Sequence, residues 1–353
     1  MNKDLLRHFV HDMLLARAFE ERAAQEYTNG RIRGFLHLYP GEEAVAVGVM
    51  HAAEPSDYIV STYREHVHAL VRGISARRIM AELFGKKDGV SHGMGGSMHI
   101  FDSERRFMGG YAIVGETFPI ALGIGYALAY RNLPEAVICF FGDGAVNQGT
   151  FHESLNMAAL WRIPVLFVCE NNHYQIGTEI HRHSAVTDVH KRACGYAIPA
   201  AKADGMDVLT VYEAARQALD AIRNEGGPRL LELETYRFRG HSMADPGAYR
   251  PSAEVQAYLR DDPVEAFIRA AKTIDPTPGK HDQSPPDPDL PSPFGGRAWD
   301  TLTPAEIEGL RAEVMAVVDD AVRFAEASPA PTLDDAWRDL HCNHSHEVLI
   351  GPS

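Results

Sequence analysis

The chain has 353 residues, more than one average domain and compatible with one large α/β domain plus an appendage. Its 34 lysines and arginines stand against 48 aspartates and glutamates, a balance that argues against nucleic-acid binding through bulk charge. No apolar run approaches the length of a membrane span, and the four cysteines (Cys139, Cys169, Cys194 and Cys342) form no C-x-x-C pair, so a reducing cytoplasm is expected.

Leu5, Leu6, Phe9, Val10, Met13 and Leu14 recur at helical spacing, with charged residues at 17–26 behind them. This predicts an opening amphipathic helix that ends near Asn29-Gly30 and packs on the sheet or on another subunit. Its acidic residues do not suit a secretory signal or a typical transit peptide. Pro40-Gly41 marks a turn, and Glu42 and Glu43 suit the first turn of a helix running to Met50. His37 lies just before that turn; a lone histidine there reads as structural. Residues 58–60 read as a short strand, followed by Tyr63-Arg64-Glu65-His66 and a helix over 67–71. Arg64 offers a planar fork to a phosphate, although taken alone it reads as a solvated arginine.

Residues 86–99 interleave Gly89, Gly93, Gly95 and Gly96 with His92, Ser97, Met98 and His99, which predicts a long functional loop. Its histidine spacing matches no zinc pattern. Residues 109–115 then lead into a small-residue helix over 121–130, suited to close helix packing.

The organising stretch is 142–172. Residues 136–141 and 164–169 are apolar runs of buried-strand type, and Phe151, Leu155, Ala158 and Ala159 between them recur at helical spacing. Cys139 and Cys169 fall inside these runs as buried thiols. A strand–helix–strand unit of this kind sets two parallel strands side by side. Gly142-Asp143-Gly144 and Glu170-Asn171-Asn172 then emerge at the carboxyl edge, where open parallel sheets bind ligands. One carboxylate and one amide oxygen suit magnesium, which takes its remaining ligands from phosphate and water. Gly142 and Gly144 admit a bulky anion, and the helix N-terminus beyond Gly144 offers N–H groups to it.

Residues 173–178 read as a loop and 203–207 as a turn, followed by a helix over 211–223 and a strand over 230–233. Residues 236–250 read as an exposed polar loop at the ligand edge. Its Arg237, Arg239 and Arg250 are expected to repel one another, leaving it mobile until a diphosphate with magnesium orders it. Packing of Tyr236, Phe238 and Tyr249 is the alternative. Residues 276–293 hold seven prolines, and Thr303-Pro304-Ala305-Glu306 is a helix start with an apolar face at Ile307, Leu310, Val314, Val317 and Phe324. The division expected is a parallel α/β domain over 1–275 with helices on both faces, a proline-rich excursion over 276–300, a packed helix over 301–328 and a tail over 329–353. The tail carries His341, Cys342, His344 and His346, a metal-chelating pattern or an irregular terminus.

Several of these segments jointly resemble one family, the alpha subunits of thiamine-dependent 2-oxo acid dehydrogenases, closest to those of pyruvate dehydrogenase complexes. The resemblance spans about residues 20–263. It rests on residues 34–41, Tyr63-Arg64-Glu65-His66, Gly95-Gly96-Ser97-Met98-His99, the 142–172 motif, residues 156–161 and Gly240-His241-Ser242-Met243. The proline-rich excursion and the histidine-rich end depart from it.

The resemblance implies a thiamine diphosphate-binding fold of the diphosphate-binding type. Asp143, Asn172 and the carbonyl of Tyr174 would hold Mg2+. Gly144, Ala145, Tyr63 and Arg64 would contact the diphosphate, and backbone groups of Ala112 and Val114 the aminopyrimidine. His37 and His241 would line the active-site mouth, with His241 near the phosphate end or assisting transfer to a lipoyl group. The implied partners are a beta subunit in an α2β2 heterotetramer, which donates the activating carboxylate, and a lipoyl-bearing acyltransferase; the substrate is a small 2-oxo acid. Glu116 is a tempting local acid, but the family pattern does not place the activating group there. The position of Ser242 is phosphorylated in members under kinase control. A second serine of some relatives is absent, because Gly247 is followed by Ala248-Tyr249, which speaks against such control. Residues 34–41 fit an acetoin dehydrogenase as well, and a branched-chain enzyme shares the chemistry, while residues 241–247 lean toward pyruvate. A non-catalytic magnesium and phosphate-binding module is the alternative of another class.

Overall fold

The computed structural model describes residues 2–272 and 300–340. The proline-rich excursion up to residue 299 and the histidine-rich tail beyond residue 340 lie outside the described residues.

The chain opens with α1 (Lys3–Thr28), whose N-terminus is capped by the Asn2 side chain, and continues through α2 (Glu43–Ala52), β1 (Tyr58–Thr62), α3 (His66–Val71), α4 (Ala76–Leu83) and β2 (Phe107–Tyr111). The organising stretch follows as α5 (Thr117–Tyr130), β3 (Val137–Gly142), α6 (Gly149–Leu160) and β4 (Val165–Asn171). A small hairpin, β5 (Tyr174–Gln175) with β6 (Thr178–Glu179), leads to the short α7 (Ile180–His183). Then come β7 (Ala200–Asp204), α8 (Val208–Glu225), β8 (Arg229–Glu234), α9 (Ser252–Leu259), α10 (Pro263–Ala271), α11 (Pro304–Ala327) and α12 (Leu333–Leu340).

The six long strands form one parallel sheet in the order β2-β1-β3-β4-β8-β7. β3 and β4 pair directly over Val137–Gly142, as the strand–helix–strand reading requires. Successive residues of these strands serve opposite faces. Ile138, Phe140, Leu166 and Val168 pack with α1, α4, α8 and α11, whereas Val137, Cys139, Phe141, Val165, Phe167 and Cys169 pack with α5 and α6. Both faces are covered, as a purely parallel sheet requires. The expected capping box at Thr303 and Glu306 is present, with Pro304 at the first helical position. The first half of α1 packs mainly on α10 and α11 rather than on the sheet; only its second half, at Phe19 and Ala23, joins the core over the strands.

Two strands of the six-stranded sheet escape the sequence pattern, and the β5–β6 hairpin forms where the sequence reads as a loop. β2 contains Gly109 and Gly110, residues that weaken strands. Gly110 is required because the buried carboxyl of Glu65 lies where a Cβ would stand. β7 reads Ala-Ala-Lys-Ala-Asp, poor in strand formers, and sits at the sheet edge. α5 begins at Thr117 rather than near Ala121, because Pro119 is tolerated within a first helical turn.

The glycine-rich loop over 86–99 is a loop, as expected, but it is pinned. Glu82, fully buried, accepts hydrogen bonds from the N–H groups of Ser91, Gly93, Gly95 and Gly96 at 2.8–3.0 Å. Ser97 is held by His66, whose other ring nitrogen lies 2.8 Å from the buried Glu20 carboxyl. Glu65 accepts from the Ile100 N–H. Replacing Glu82 by alanine leaves four inward-facing N–H groups without their partner. The variant is expected to lose about 3 kcal/mol or more of stability. Urea denaturation checks this, and an unchanged midpoint would show that the loop does not depend on Glu82.

Candidate functional site

Chain order reverses across the sheet between β1 and β3, so the loops after these strands diverge at the carboxyl edge and leave a crevice. A cavity of about 320 Å³ occupies that position. Loops following β1, β2, β3, β4 and β8 all contribute to it.

Every residue expected at a cofactor lines this cavity: His37, Tyr63, Arg64, Ala112, Val114, Asp143, Gly144, Ala145, Asn172, Tyr174 and His241. Asp143 and Asn172 directly follow the adjacent strands β3 and β4. Asp143 is 1% exposed and its Oδ2 has no hydrogen-bond partner; His183 Nε2, also without one, lies 3.6 Å away. A buried carboxyl oxygen left in this state is costly unless a further group meets it. Asn172 Oδ1 accepts one hydrogen bond, from the Tyr174 N–H at 3.2 Å, and keeps a second lone pair. This oxygen donor set fits a hard divalent cation held together with an anionic ligand.

The anion end differs from the expectation in one respect. α6 starts only at Gly149, and a single 3-10 turn, Asp143–Ala145, precedes it. Gly144 and Ala145 line the cavity, whereas no residue of α6 does. The groups offered to an anion therefore belong to the turn, not to the helix N-terminus. At Gly144 a Cβ would meet the Gln175 side chain at 2.8 Å, so close packing against β5 demands glycine there. Arg64 is not solvated but 6% exposed, donating to the carbonyls of Leu38 and His241.

His37, Tyr63 and His241 form an aromatic cluster with ring centroids 4.5–5.8 Å apart. His37 is buried, with the exposed Phe35 outside it. Burial, then the Arg64 charge, pushes the His37 imidazole down to about 2, and burial with Arg64 and Arg237 pushes His241 down to about 4. Both rings are neutral at pH 7, and each keeps an unpartnered Nδ1.

The loop over 236–250 is neither a fully exposed segment nor held apart by its charges. Arg237 and Arg250 are buried. Arg237 donates to the Ile176 carbonyl and the Tyr249 hydroxyl, and Arg250 to the carbonyls of Arg237, Phe238 and Arg239. The Arg250 guanidinium also lies within 5.1–5.8 Å of the ring centres of Tyr174, Tyr236 and Tyr249. Carbonyl oxygens and ring faces surround the positive charge, and of the loop's three arginines only Arg239 is exposed. Tyr174 and Tyr236 both donate to Glu254 of α9, which ties the loop to Tyr174 at the cavity. Ser242 is half-buried, and Glu116 stands at the start of α5, outside the cavity lining.

Sequence reasoning missed Glu42, Met98, Gln175, Ile176 and Arg237 as cavity residues. The sequence reads Glu42 as a helix-start acid, yet it makes no capping bond and is 1% exposed. Burial pushes its carboxyl up to about 7, with Arg64 opposing and Glu170 adding to the shift. Glu170, beneath it, accepts from the Tyr39 hydroxyl and lies 3.1 Å from His68 Nε2. A glutamate just after Pro-Gly carries no sign of burial in the sequence itself.

A family described as "Dehydrogenase E1 component" matches residues 11–275. The chain is 39% identical to the pyruvate dehydrogenase E1 component subunit alpha of Porphyra purpurea, over 98% of this chain and 95% of that one. It is 42% identical to the protein of the same name from Rhizobium meliloti (strain 1021), over 93% and 88% of the two chains. For that of Zymomonas mobilis the figures are 41%, 96% and 89%. The matched stretch contains the whole sheet and every residue that lines the cavity. With this sheet, this crevice and this extent of similarity, the chain belongs to the dehydrogenase E1 component family.

Proposed function

We propose that the chain is the alpha subunit of a thiamine diphosphate-dependent pyruvate dehydrogenase. The observation that carries this reading is the buried Asp143 oxygen without a partner, beside Asn172 at the sheet's reversal point. Asp143, Asn172 and the Tyr174 carbonyl would hold Mg2+, and the turn at Gly144 and Ala145, with Tyr63 and Arg64, would hold the diphosphate. Ala112 and Val114 would meet the aminopyrimidine through their backbone. Bound thiamine diphosphate supplies the carbanion chemistry by which a 2-oxo acid loses carbon dioxide. The chain's own contribution is position and electrostatics. Arg64 and Arg237 set positive charge at the anion end, and the neutral His37 and His241 offer hydrogen-bonding ring nitrogens at the cavity mouth. The acyl product leaves on a lipoyl group of an acyltransferase partner.

The cavity is read as the site for the diphosphate and metal end of the cofactor. The acid that activates the pyrimidine is assigned to a separate beta chain in an α2β2 assembly, and the compartment to the cytoplasm. The free thiols Cys139, Cys169 and Cys194 suit a reducing compartment. The domain division is read as one unit over 1–275, with the segments over 276–300, 301–328 and 329–353 appended.

Reconstitution with a beta chain, assayed for decarboxylation of pyruvate, acetoin and branched 2-oxo acids, tests the substrate. Pyruvate is expected to be preferred, and the alpha chain alone is expected to be inactive; full activity from the single chain would defeat the two-chain reading.

Asp143→Ala is expected to abolish measurable binding of thiamine diphosphate with Mg2+ while the thermal melt persists. Calorimetric titration checks this, and normal binding by the variant would remove Asp143 from the metal site.

The two depressed histidines carry a pH prediction. Unfolded, each takes up a proton below about 6.5; folded, they stay neutral down to about 2 and about 4. The unfolded state binds more protons in that window, so stability falls as pH drops below 6.5. His37→Asn is expected to show a shallower decline in urea midpoint between pH 6.5 and 4 than the unmodified chain.

A further inference from the structure

Glu42 sits on the floor of the cavity at the start of α2, with its side chain turned away from its own helix end. Its Oε1 accepts a hydrogen bond from Asn172 Nδ2 at 2.9 Å. Its Oε2 has no hydrogen-bond partner and lies 3.8 Å from Arg64 Nε. One buried carboxyl therefore touches both the amide assigned to the cation and the guanidinium assigned to the diphosphate.

The amide of asparagine is nearly symmetric in shape, so its hydrogen-bond partners alone decide which end holds the oxygen. At Asn172 two partners act together. Glu42 requires a donor on one side, and the Tyr174 N–H requires an acceptor on the other. Turning the amide over would set oxygen against a carboxyl and NH2 against N–H. Both hydrogen bonds would be lost inside a low-dielectric site, where unpaired polar groups cost most. Among the polar groups around Asn172, the Tyr174 N–H is backbone and comes with the local turn; Glu42 is the side chain that a substitution can remove.

We propose that Glu42 is a positioning residue that fixes the Asn172 amide with its oxygen presented to the cation and steadies Arg64 at the anion end. This rests on the assignment of the metal to Asp143 and Asn172. Groups that orient a metal ligand in this way lower metal affinity by about ten- to a hundred-fold when removed. Glutamine at position 42 keeps a carbonyl that accepts the same N–H, so orientation and charge can be separated.

The test measures Mn2+ binding by electron paramagnetic resonance, in the presence of thiamine diphosphate, on the full chain in the assembly with which it purifies. Glu42→Ala is expected to weaken Mn2+ by about ten-fold or more, and Glu42→Gln to stay within about three-fold of the unmodified chain. Equal loss in both variants would make the effect one of charge and overturn the proposal, as would unchanged binding in Glu42→Ala. If Glu42→Ala does not fold, Glu42→Met, of similar length but with no acceptor for the amide, provides the measurement: weakening of Mn2+ by about ten-fold is expected, and unchanged binding would overturn the proposal. Asp143→Ala separates the two levels. Loss of Mn2+ there with normal binding in Glu42→Ala sinks only the role of Glu42, whereas an unmodified chain that binds no Mn2+ sinks the site itself and this role with it.

Discussion

All six long strands run in one direction, and everything functional in this molecule depends on that constraint. A parallel sheet collects the ends of its strands, and the loops that leave them, along a single edge. It also demands apolar cover on both faces, because strands joined by helical crossovers leave neither face to water. Phe140 and Phe141 show the consequence at its sharpest: neighbours in sequence, each fully buried, they serve cores on opposite sides of the sheet. A slip of one residue in β3 would exchange the two cores and displace Asp143 from the crevice.

The second recurring device is the buried glutamate. Glu20, Glu42, Glu65, Glu82 and Glu170 are all within 4% of complete burial, and each meets a donor from a different part of the chain. Such groups are expensive to bury alone and worthwhile only when partnered. Here they replace regular secondary structure where the chain has none. Residues 86–99 and the turn before α2 lack a ladder or helix to fix them, and carboxyl oxygens take over that task.

How much of this was legible follows from the same two devices. The apolar runs of β3 and β4, with Gly142-Asp143-Gly144 and Asn171-Asn172 behind them, display their burial openly, so the central unit and the residues it sets at the crevice can be read directly. Their companions at the edge, from Tyr63 to His241, entered only through resemblance to a family, because nothing in a loop sequence states which strand edge it will reach. β2 and β7 were invisible: one has its glycines for the sake of Glu65, the other is built of small residues at an edge. Arg237 and Arg250 were misread because counting like charges assumes water around them, whereas carbonyls and tyrosine rings surround both. Glu42 and Glu82 were missed for the opposite reason. A glutamate in a sequence reads as a surface residue, and its partners are backbone or amide groups that any residue could supply.

The four N–H groups gathered by Glu82 have a consequence for how the glycine-rich loop moves. Amide protons in an irregular segment ordinarily exchange with solvent through small local openings. Those of Ser91, Gly93, Gly95 and Gly96 share one acceptor, and that acceptor is fixed in α4. None can open far without disturbing the others, so the four should exchange as a single cooperative set, at the rate of the helix that carries their carboxyl. Met98, two residues beyond the last of them, then lines the cavity from a support as stiff as α4, although no helix or strand reaches it.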